Sequence, residues 1–282
     1  MKAFKLFCIL TLGLLLSNES YAQFRNGYFS VGVGTGVTHY LGDLDDDFTL
    51  KFTKPGISVW GGYRFNPFMT ARLSFFQGWT GASDENSNNE SRRRRNLSFR
   101  SPITEFSAQL VIDFIPNERS FYYRPKYTPY IFGGVAIFSF NPQAQLDGEW
   151  IELQPLGTEG QFLPDPNNIY DDPYNLTQIS IPMGVGVRVK VTRNIDVAFE
   201  TGFRKTFTDH LDDVSHLYPD LNDLRAQNPT AALLSDRIDL TQFPDGAAAI
   251  NGIRGDRAQT DWYIFTGITV SYVIDWVKCP SF

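Results

Sequence analysis

The chain has 282 residues, a formal net charge of −6 and 15% aromatic residues. An acidic protein of this kind lacks the excess of Lys and Arg that neutralises phosphates, so we expect no nucleic-acid partner. Cys, Met and His are scarce, with 2, 3 and 3 residues respectively. This composition argues against an enzyme, and we expect no catalytic residue, no cofactor and no metal site.

The N-terminus has the pattern of a secretory signal peptide. Lys2 and Lys5 precede an apolar run over residues 7–16, and small residues lead up to Ala22. This order is typical of an exported chain, and the run is shorter than the ~20 residues of a membrane-spanning helix. We therefore predict a signal peptide over residues 1–22 and one mature domain over residues 23–282.

Alternation of apolar and polar residues recurs through the mature chain. In residues 179–191 the apolar residues, Val185 and Val187 among them, occupy every second position, opposite residues such as Gly186 and Arg188. A period of two is typical of β-strands, and about nine residues are enough to cross a bilayer in a tilted strand. The predicted strands are residues 29–38, 57–65, 69–75, 106–114, 130–140, 179–191, 195–207 and 262–274.

The connections between these strands alternate in length. Three are short or modest, at residues 66–68, 116–126 and 192–194. Between them lie long polar segments, at residues 39–55, 78–102, 141–177 and 208–261. Short periplasmic turns and long extracellular loops are typical of bacterial outer-membrane barrels. We predict an all-β fold, an eight-stranded antiparallel transmembrane barrel in contact with the lipids of the cell outer membrane.

The polar face of the strands carries charges of both signs. If the apolar face contacts lipid, these side chains point into a lumen that eight strands leave narrow enough for side chains to fill. We predict a paired network that closes the barrel rather than an open pore. Its residues are Arg64, Arg72, Glu105, Asp113, Arg188, Asp196, Glu200 and Arg204. The alternative is a soluble barrel of lipocalin type with the apolar face inside, which the scarcity of Lys and Glu on the polar face disfavours.

Three local motifs each have a structural and a functional interpretation. The glycines of residues 32–36 resemble a phosphate loop but lie in a strand, where a narrow lumen explains them better. Asp209 and His210 suggest a metal or acid–base pair, or a structural loop. The arginine run 92–95 is typical of a solvated loop, with contact to lipopolysaccharide phosphates as the alternative.

Aromatic residues near strand ends predict interfacial girdles: Tyr28, Tyr63, Phe65, Phe114, Trp262 and Tyr272.

Several short motifs together resemble the PorG-like outer-membrane proteins of Bacteroidetes. They are residues 32–36 (GVGTG), 40–43 (YLGD), 130–134 (YIFGG), 154–160 (QPLGTEG), 208–214 (TDHLDDV) and 261–263 (DWY). The resemblance spans almost the whole mature chain. It implies an eight-stranded barrel of the type IX protein secretion machinery, associated on its periplasmic side with the ring-forming components of that system.

These observations leave three hypotheses from different classes. The favoured one is a non-enzymatic barrel that anchors or organises a type IX secretion assembly. A general structural or adhesive barrel without a secretion role is the second. The third is a membrane enzyme active at the barrel rim through the region of Asp209 and His210.

Overall fold

A computed structural model describes residues 27–45, 52–118, 120–167, 169–242, 252–257 and 259–274. The predicted signal peptide lies outside the described residues. The elements are β1 (Tyr28–Leu41), β2 (Lys54–Arg64), β3 (Met69–Ser83), α1 (Glu90–Arg95), β4 (Ser98–Asp113), β5 (Tyr127–Phe140), β6 (Gln143–Leu146), β7 (Glu149–Glu152), β8 (Thr177–Lys190), β9 (Ile195–Thr206), α2 (Leu221–Gln227), α3 (Pro229–Ser235) and β10 (Trp262–Ile274). Among the described residues, no helix is long and apolar enough to cross a membrane.

Eight of these strands close into an antiparallel barrel. Their order is β3, β2, β1, β10, β9, β8, β5 and β4, and pairing of β3 with β4 completes the circle. The first and last strands meet along their whole length, with Val33 opposite Val270. The predicted fold is therefore confirmed, and each predicted strand is present. The remaining strands, β6 and β7, form a hairpin within the connection that follows β5.

The strands β3 and β4 extend beyond the predicted segments, because pairing continues up to Ser83 and Ser98. Polar residues interrupt the apolar alternation in these extensions. Backbone pairing can continue there because strands outside the hydrocarbon region of the membrane need no apolar face. The short segments that link consecutive strands at the opposite end are residues 65–68, 114–126 and 191–194. We call this end of the barrel the turn side.

The apolar face of the barrel points outward. Val185 and Val187 are 56% and 44% exposed, whereas Arg64 and Asp113 on the opposite face are buried. A closed sheet with an apolar exterior satisfies its backbone internally and suits a lipid surrounding, which identifies an outer-membrane barrel. This arrangement contradicts the soluble-barrel alternative, in which the apolar residues would face inward.

The predicted aromatic girdle is correct in part. Tyr63, Phe65, Phe114 and Tyr272 are exposed on the outer face at the turn side. The assignment of Tyr28 was wrong: this residue shares the inward face with Ser30 and packs against Phe121, with 6.0 Å between the ring centroids. Tyr28 lies two positions before Ser30, so the alternation of side chains along β1 points both residues inward.

The long connections fold into a compact body above the barrel, which we call the outer cap: residues 42–45, 84–97, 141–167, 169–176, 207–242, 252–257 and 259–261. It contains the β6–β7 hairpin, α1, α2 and α3. The helices α2 and α3 lie in the connection between β9 and β10, and Asp220 and Asn228 cap their N-termini. A cluster that includes Tyr40, Phe138, Tyr174 and Leu211 joins the cap to the upper lumen.

Candidate functional site

The interior of the barrel holds the predicted charged residues, and all eight side chains point into the lumen. Their exposure is low, and Glu105 is completely buried. They lie at three levels between the turn side and the cap. We call the set of Arg64, Arg72, Glu105, Asp113, Arg188, Asp196, Glu200 and Arg204 the lumen network.

The level nearest the turn side contains two carboxylates. The carboxylate of Asp113 accepts hydrogen bonds from Arg64 at 2.6 Å and from Arg188 at 3.2 Å. Asp196 pairs with Arg124, whose Nη2 lies 2.7 Å from Asp196 Oδ1. Sequence reasoning missed Arg124, because it belongs to the connection between β4 and β5, where alternation gives no orientation.

The middle level joins strands that lie across the lumen from one another. The Nη1 atom of Arg72 in β3 lies 2.8 Å and 3.0 Å from the carboxylate oxygens of Glu200 in β9. Its Nε donates to Gln109 at 2.9 Å, and its guanidinium lies 4.7 Å from the ring centroid of Phe132. Charge-assisted hydrogen bonds of this kind favour one geometry for the two side chains. The lumen is therefore crossed by an ion pair between β3 and β9.

The upper level is the most deeply buried. Arg204 Nε lies 3.2 Å from Glu105 Oε2, to which the hydroxyl of Tyr263 donates at 2.7 Å. Phe76 and Phe138 fill the space beside them and have no exposed surface. Charged and aromatic side chains together occupy this narrow interior, as expected for an eight-stranded barrel. The lumen is closed by its own side chains.

The glycines of β1 and β8 make room for these large groups. A Cβ on Gly186 would lie 2.5 Å from the Tyr130 ring, and one on Gly32 would collide with Trp60. Residues 32–36 lie within β1. The geometry is that of a crowded strand and differs from the strand-to-helix loop of a phosphate site.

The outer cap contains a second buried polar cluster. The hydroxyl oxygen of Tyr40 lies 2.6 Å from Asp212 Oδ2 and 2.7 Å from Asp261 Oδ1. Each of these contacts requires a proton, and the tyrosine supplies one. The second proton must reside on a carboxyl group. Burial raises the pKa of Asp261 to about 8, and burial together with Asp261 raises the pKa of Asp212 well above its ordinary value.

Arg254 joins two of the long connections. Its Nη1 lies 2.8 Å from Glu159 Oε1 and its Nη2 lies 3.6 Å from Asp213 Oδ2. Asp213 also accepts a hydrogen bond from the Tyr174 hydroxyl at 2.6 Å. Glu159 accepts the backbone N–H of Ser215 at 2.9 Å. Segments far apart in the chain are thus tied together under the surface of the cap.

The arginine run 92–95 forms most of α1, and its last member was misassigned as solvated. Arg95 is buried, and its Nε and Nη2 lie 2.8 Å and 2.9 Å from the two oxygens of Asp84. Its Nη2 also donates to the backbone oxygen of Asp43 at 3.0 Å. The bidentate pair outweighs the tendency of a short basic run to stay in water. Arg95 is a structural crosslink of the cap.

The Asp209–His210 region has a packing role in the structure. The His210 ring stacks on Tyr174 with 4.5 Å between the centroids, and burial lowers its pKa. Burial raises the pKa of Asp209 to about 9. Within the described part of the chain, no three His, Cys, Asp or Glu side chains are grouped to hold a metal ion. The arrangement resembles a buried loop more than an acid–base pair.

Solved structures with a similar fold are bacterial outer-membrane barrels of very different sequence. Neisserial surface protein A has 10% identity and a TM-score of 0.44, covering 88% of this chain and 99% of its own. The attachment invasion locus protein Ail of Yersinia pestis has 10% identity and a TM-score of 0.40, with the same coverage. OprG of Pseudomonas aeruginosa has 9% identity and a TM-score of 0.39, covering 88% and 96%.

A comparison with curated proteins finds no match. The sequence does match the family model described as "Domain of unknown function (DUF6089)" over residues 4–152 and 160–232. These segments include β1 to β9 and the helices of the cap, apart from the end of α3. The chain belongs to the DUF6089 family.

Proposed function

We propose that the protein is a non-enzymatic, non-conducting outer-membrane barrel that anchors or organises a type IX secretion assembly. The observation that carries this proposal is the closed lumen. Arg72 and Glu200 bridge it in the middle, and Arg204, Glu105 and Tyr263 close it above. A barrel filled in this way offers its surroundings two surfaces, the turn side and the outer cap.

The turn side supplies a firm surface for a periplasmic partner. The connection over residues 114–126 is held to the barrel by the Arg124–Asp196 pair and by the Asn117 N–H, which donates to the Pro67 carbonyl at 2.9 Å. It presents Tyr123, which is 69% exposed. Exposed aromatic residues on a rigid support are typical anchors of protein interfaces. The resemblance to PorG-like proteins supplies the class of partner, the periplasmic ring components of that system.

Affinity purification from detergent-solubilised membranes tests the proposal. We expect stoichiometric periplasmic proteins to co-purify with the tagged barrel, and Tyr123→Ala to reduce their recovery. Trp150→Ala, which removes an exposed aromatic residue of the outer cap, is the matched control. A strain that lacks the protein should fail to secrete type IX substrates. Normal secretion in that strain, or a barrel that purifies alone, contradicts the proposal.

The size and order of the outer cap favour a second candidate, a barrel that binds ligands at the cell surface. The buried Arg254 and Arg95 crosslinks hold the cap together, and ordered loops preserve a binding surface at low entropic cost. Whole cells bearing cap substitutions such as Trp150→Ala would then lose attachment while secretion continues. This outcome separates the two candidates.

A further inference from the structure

A small polar cavity lies at the turn side, between the floor of the lumen and the connection over residues 114–126. Its volume is about 10 Å³, room for a single atom of roughly the size of a water oxygen. Six charged residues line it: Arg64, Asp113, Arg124, Arg188, Lys190 and Asp196. Asn117 of the connection also lines it.

The charges around this cavity do not balance. Four cations face two carboxylates, and both carboxylates are already engaged, Asp113 by two arginines and Asp196 by Arg124. Lys190 donates to the backbone carbonyl of Tyr122, which carries no charge. Uncompensated charge is costly where water is largely excluded. The cavity therefore has an excess of two positive charges, one of them on the partly exposed Lys190, and favours a negative occupant.

Hydrogen bonding points in the same direction. Arg64, Asn117 and Arg124 each have a buried donor nitrogen, namely Nε, Nδ2 and Nε, that finds no acceptor among the described residues. All three residues line the cavity. A buried donor without an acceptor costs about 1–3 kcal/mol, and the lone pairs of one anion satisfy several donors at once. A neutral water satisfies fewer donors and leaves the charge excess in place.

From this cavity we infer a binding site for one small monovalent anion, a halide or the oxygen of a carboxylate, entering from the periplasmic side. The anion is coordinated by the free donors of Arg64, Arg124 and Asn117. It stabilises the junction between the barrel and the connection that presents Tyr123. The inference depends on the charges and donors of the cavity alone and does not rest on the secretion role.

Crystals of the purified protein grown in bromide provide the direct test. We expect an anomalous bromide peak beside Arg64, Asn117 and Arg124. In detergent at constant ionic strength, chloride should raise the Tm by about 2–4 °C relative to a bulky sulfonate. If acetate raises the Tm as chloride does, the site also accepts carboxylates. If acetate leaves the Tm unchanged, the site is restricted to halides. A peak-free cavity together with equal Tm values in all three salts overturns the inference.

Two substitutions at Asn117 sharpen the test, since this residue belongs to no ion pair. Asn117→Ala should weaken the chloride effect. Asn117→Asp supplies a carboxylate in place of the anion, so it should raise the Tm in sulfonate and abolish the response to chloride. Glu118→Gln, a neighbouring exposed substitution, is the control and should respond to chloride as the unmodified protein does. A chloride response that persists in Asn117→Asp contradicts the inference.

Discussion

The barrel interior and the outer cap both bury charged groups, but they differ in how many of the buried carboxylates have a cationic partner. In the lumen each carboxylate faces at least one arginine, as Asp113 faces Arg64 and Arg188. In the described part of the cap, the buried carboxylates outnumber the buried arginines, Arg95 and Arg254. These carboxylates are Asp45, Asp84, Glu159, Asp212, Asp213 and Asp261.

This difference in charge balance predicts a difference in behaviour. Each of the four lumen carboxylates has an arginine within ion-pair distance. Unpaired carboxyl groups in the cap instead retain protons, as the contacts of Tyr40 with Asp212 and Asp261 require. The barrel is thus expected to be the insensitive part of the molecule and the cap the part that responds to its medium.

The largest effect is expected from a lumen carboxylate that serves two arginines. Asp113→Ala removes the partner of both Arg64 and Arg188, and breaking a buried pair of this kind costs about 3–5 kcal/mol of unfolding free energy. Urea unfolding in lipid vesicles measures the loss. Glu118→Ala, an exposed carboxylate close by in the chain, should change stability little. Equal stability of the two variants would show that the lumen pairs do not support the fold.

A smaller and local effect is expected from the cap. Arg254→Ala leaves Glu159 and Asp213 without their cation, at a cost of about 1–3 kcal/mol to the cap, a modest loss because water can reach the space left by the arginine. Limited proteolysis should then cut the cap faster while the urea midpoint of the barrel stays unchanged. Arg257→Ala, which removes an exposed pair with Asp171, is the control. A lower midpoint for the barrel would contradict the independence of the two regions.

The pH dependence of the cap follows from the raised carboxyl pKa values. The pKa of Asp261 rises from 3.8 to about 8 in the folded cap, so the protonated form is favoured there. The stability that this proton confers is complete below about pH 4, the pKa range of an unfolded Asp, and is lost as the pH rises through about 8. Backbone hydrogen exchange near Leu211 should therefore accelerate between pH 5 and pH 9, after correction for intrinsic rates.

Asp212→Asn separates this mechanism from general loosening. The amide of the new side chain can donate to Tyr40 in place of the carboxyl proton, so this variant should keep the cap protected at pH 9. Exchange in the β-strands of the barrel serves as the internal reference and should show no comparable change. A cap that loosens equally in Asp212→Asn would assign the effect to other groups.

The smallest effect is expected on conductance. Since the lumen network closes the barrel below the cap, opening the cap at pH 9 should leave the protein without stable single-channel currents. Planar bilayer recordings at pH 6 and pH 9 make the comparison, with an established porin as the positive control. Reproducible currents that appear only at pH 9 would show that the cap, and not the lumen network, closes the barrel.

Much of the barrel was predictable from the sequence, for a physical reason. Side chains alternate between the two faces of a strand, so the spacing of Val185 and Val187 against Gly186 and Arg188 assigns lipid and lumen faces without further information. The same rule places the residues of the lumen network on the inside. It applies equally to Tyr28, which was assigned to the outer girdle by its position near a strand end.

The sequence by itself therefore determined the eight strands of the barrel, though not their full length, together with their faces and the sign of the charges inside. Only the tertiary structure decided the partners: Arg124 for Asp196, Arg95 for Asp84, and Tyr40 for Asp212, 172 positions away in the chain. Connections have no periodicity that orients their side chains. A contact between distant loops depends on how the closed barrel brings them together at one end. No local pattern of residues predicts such a contact.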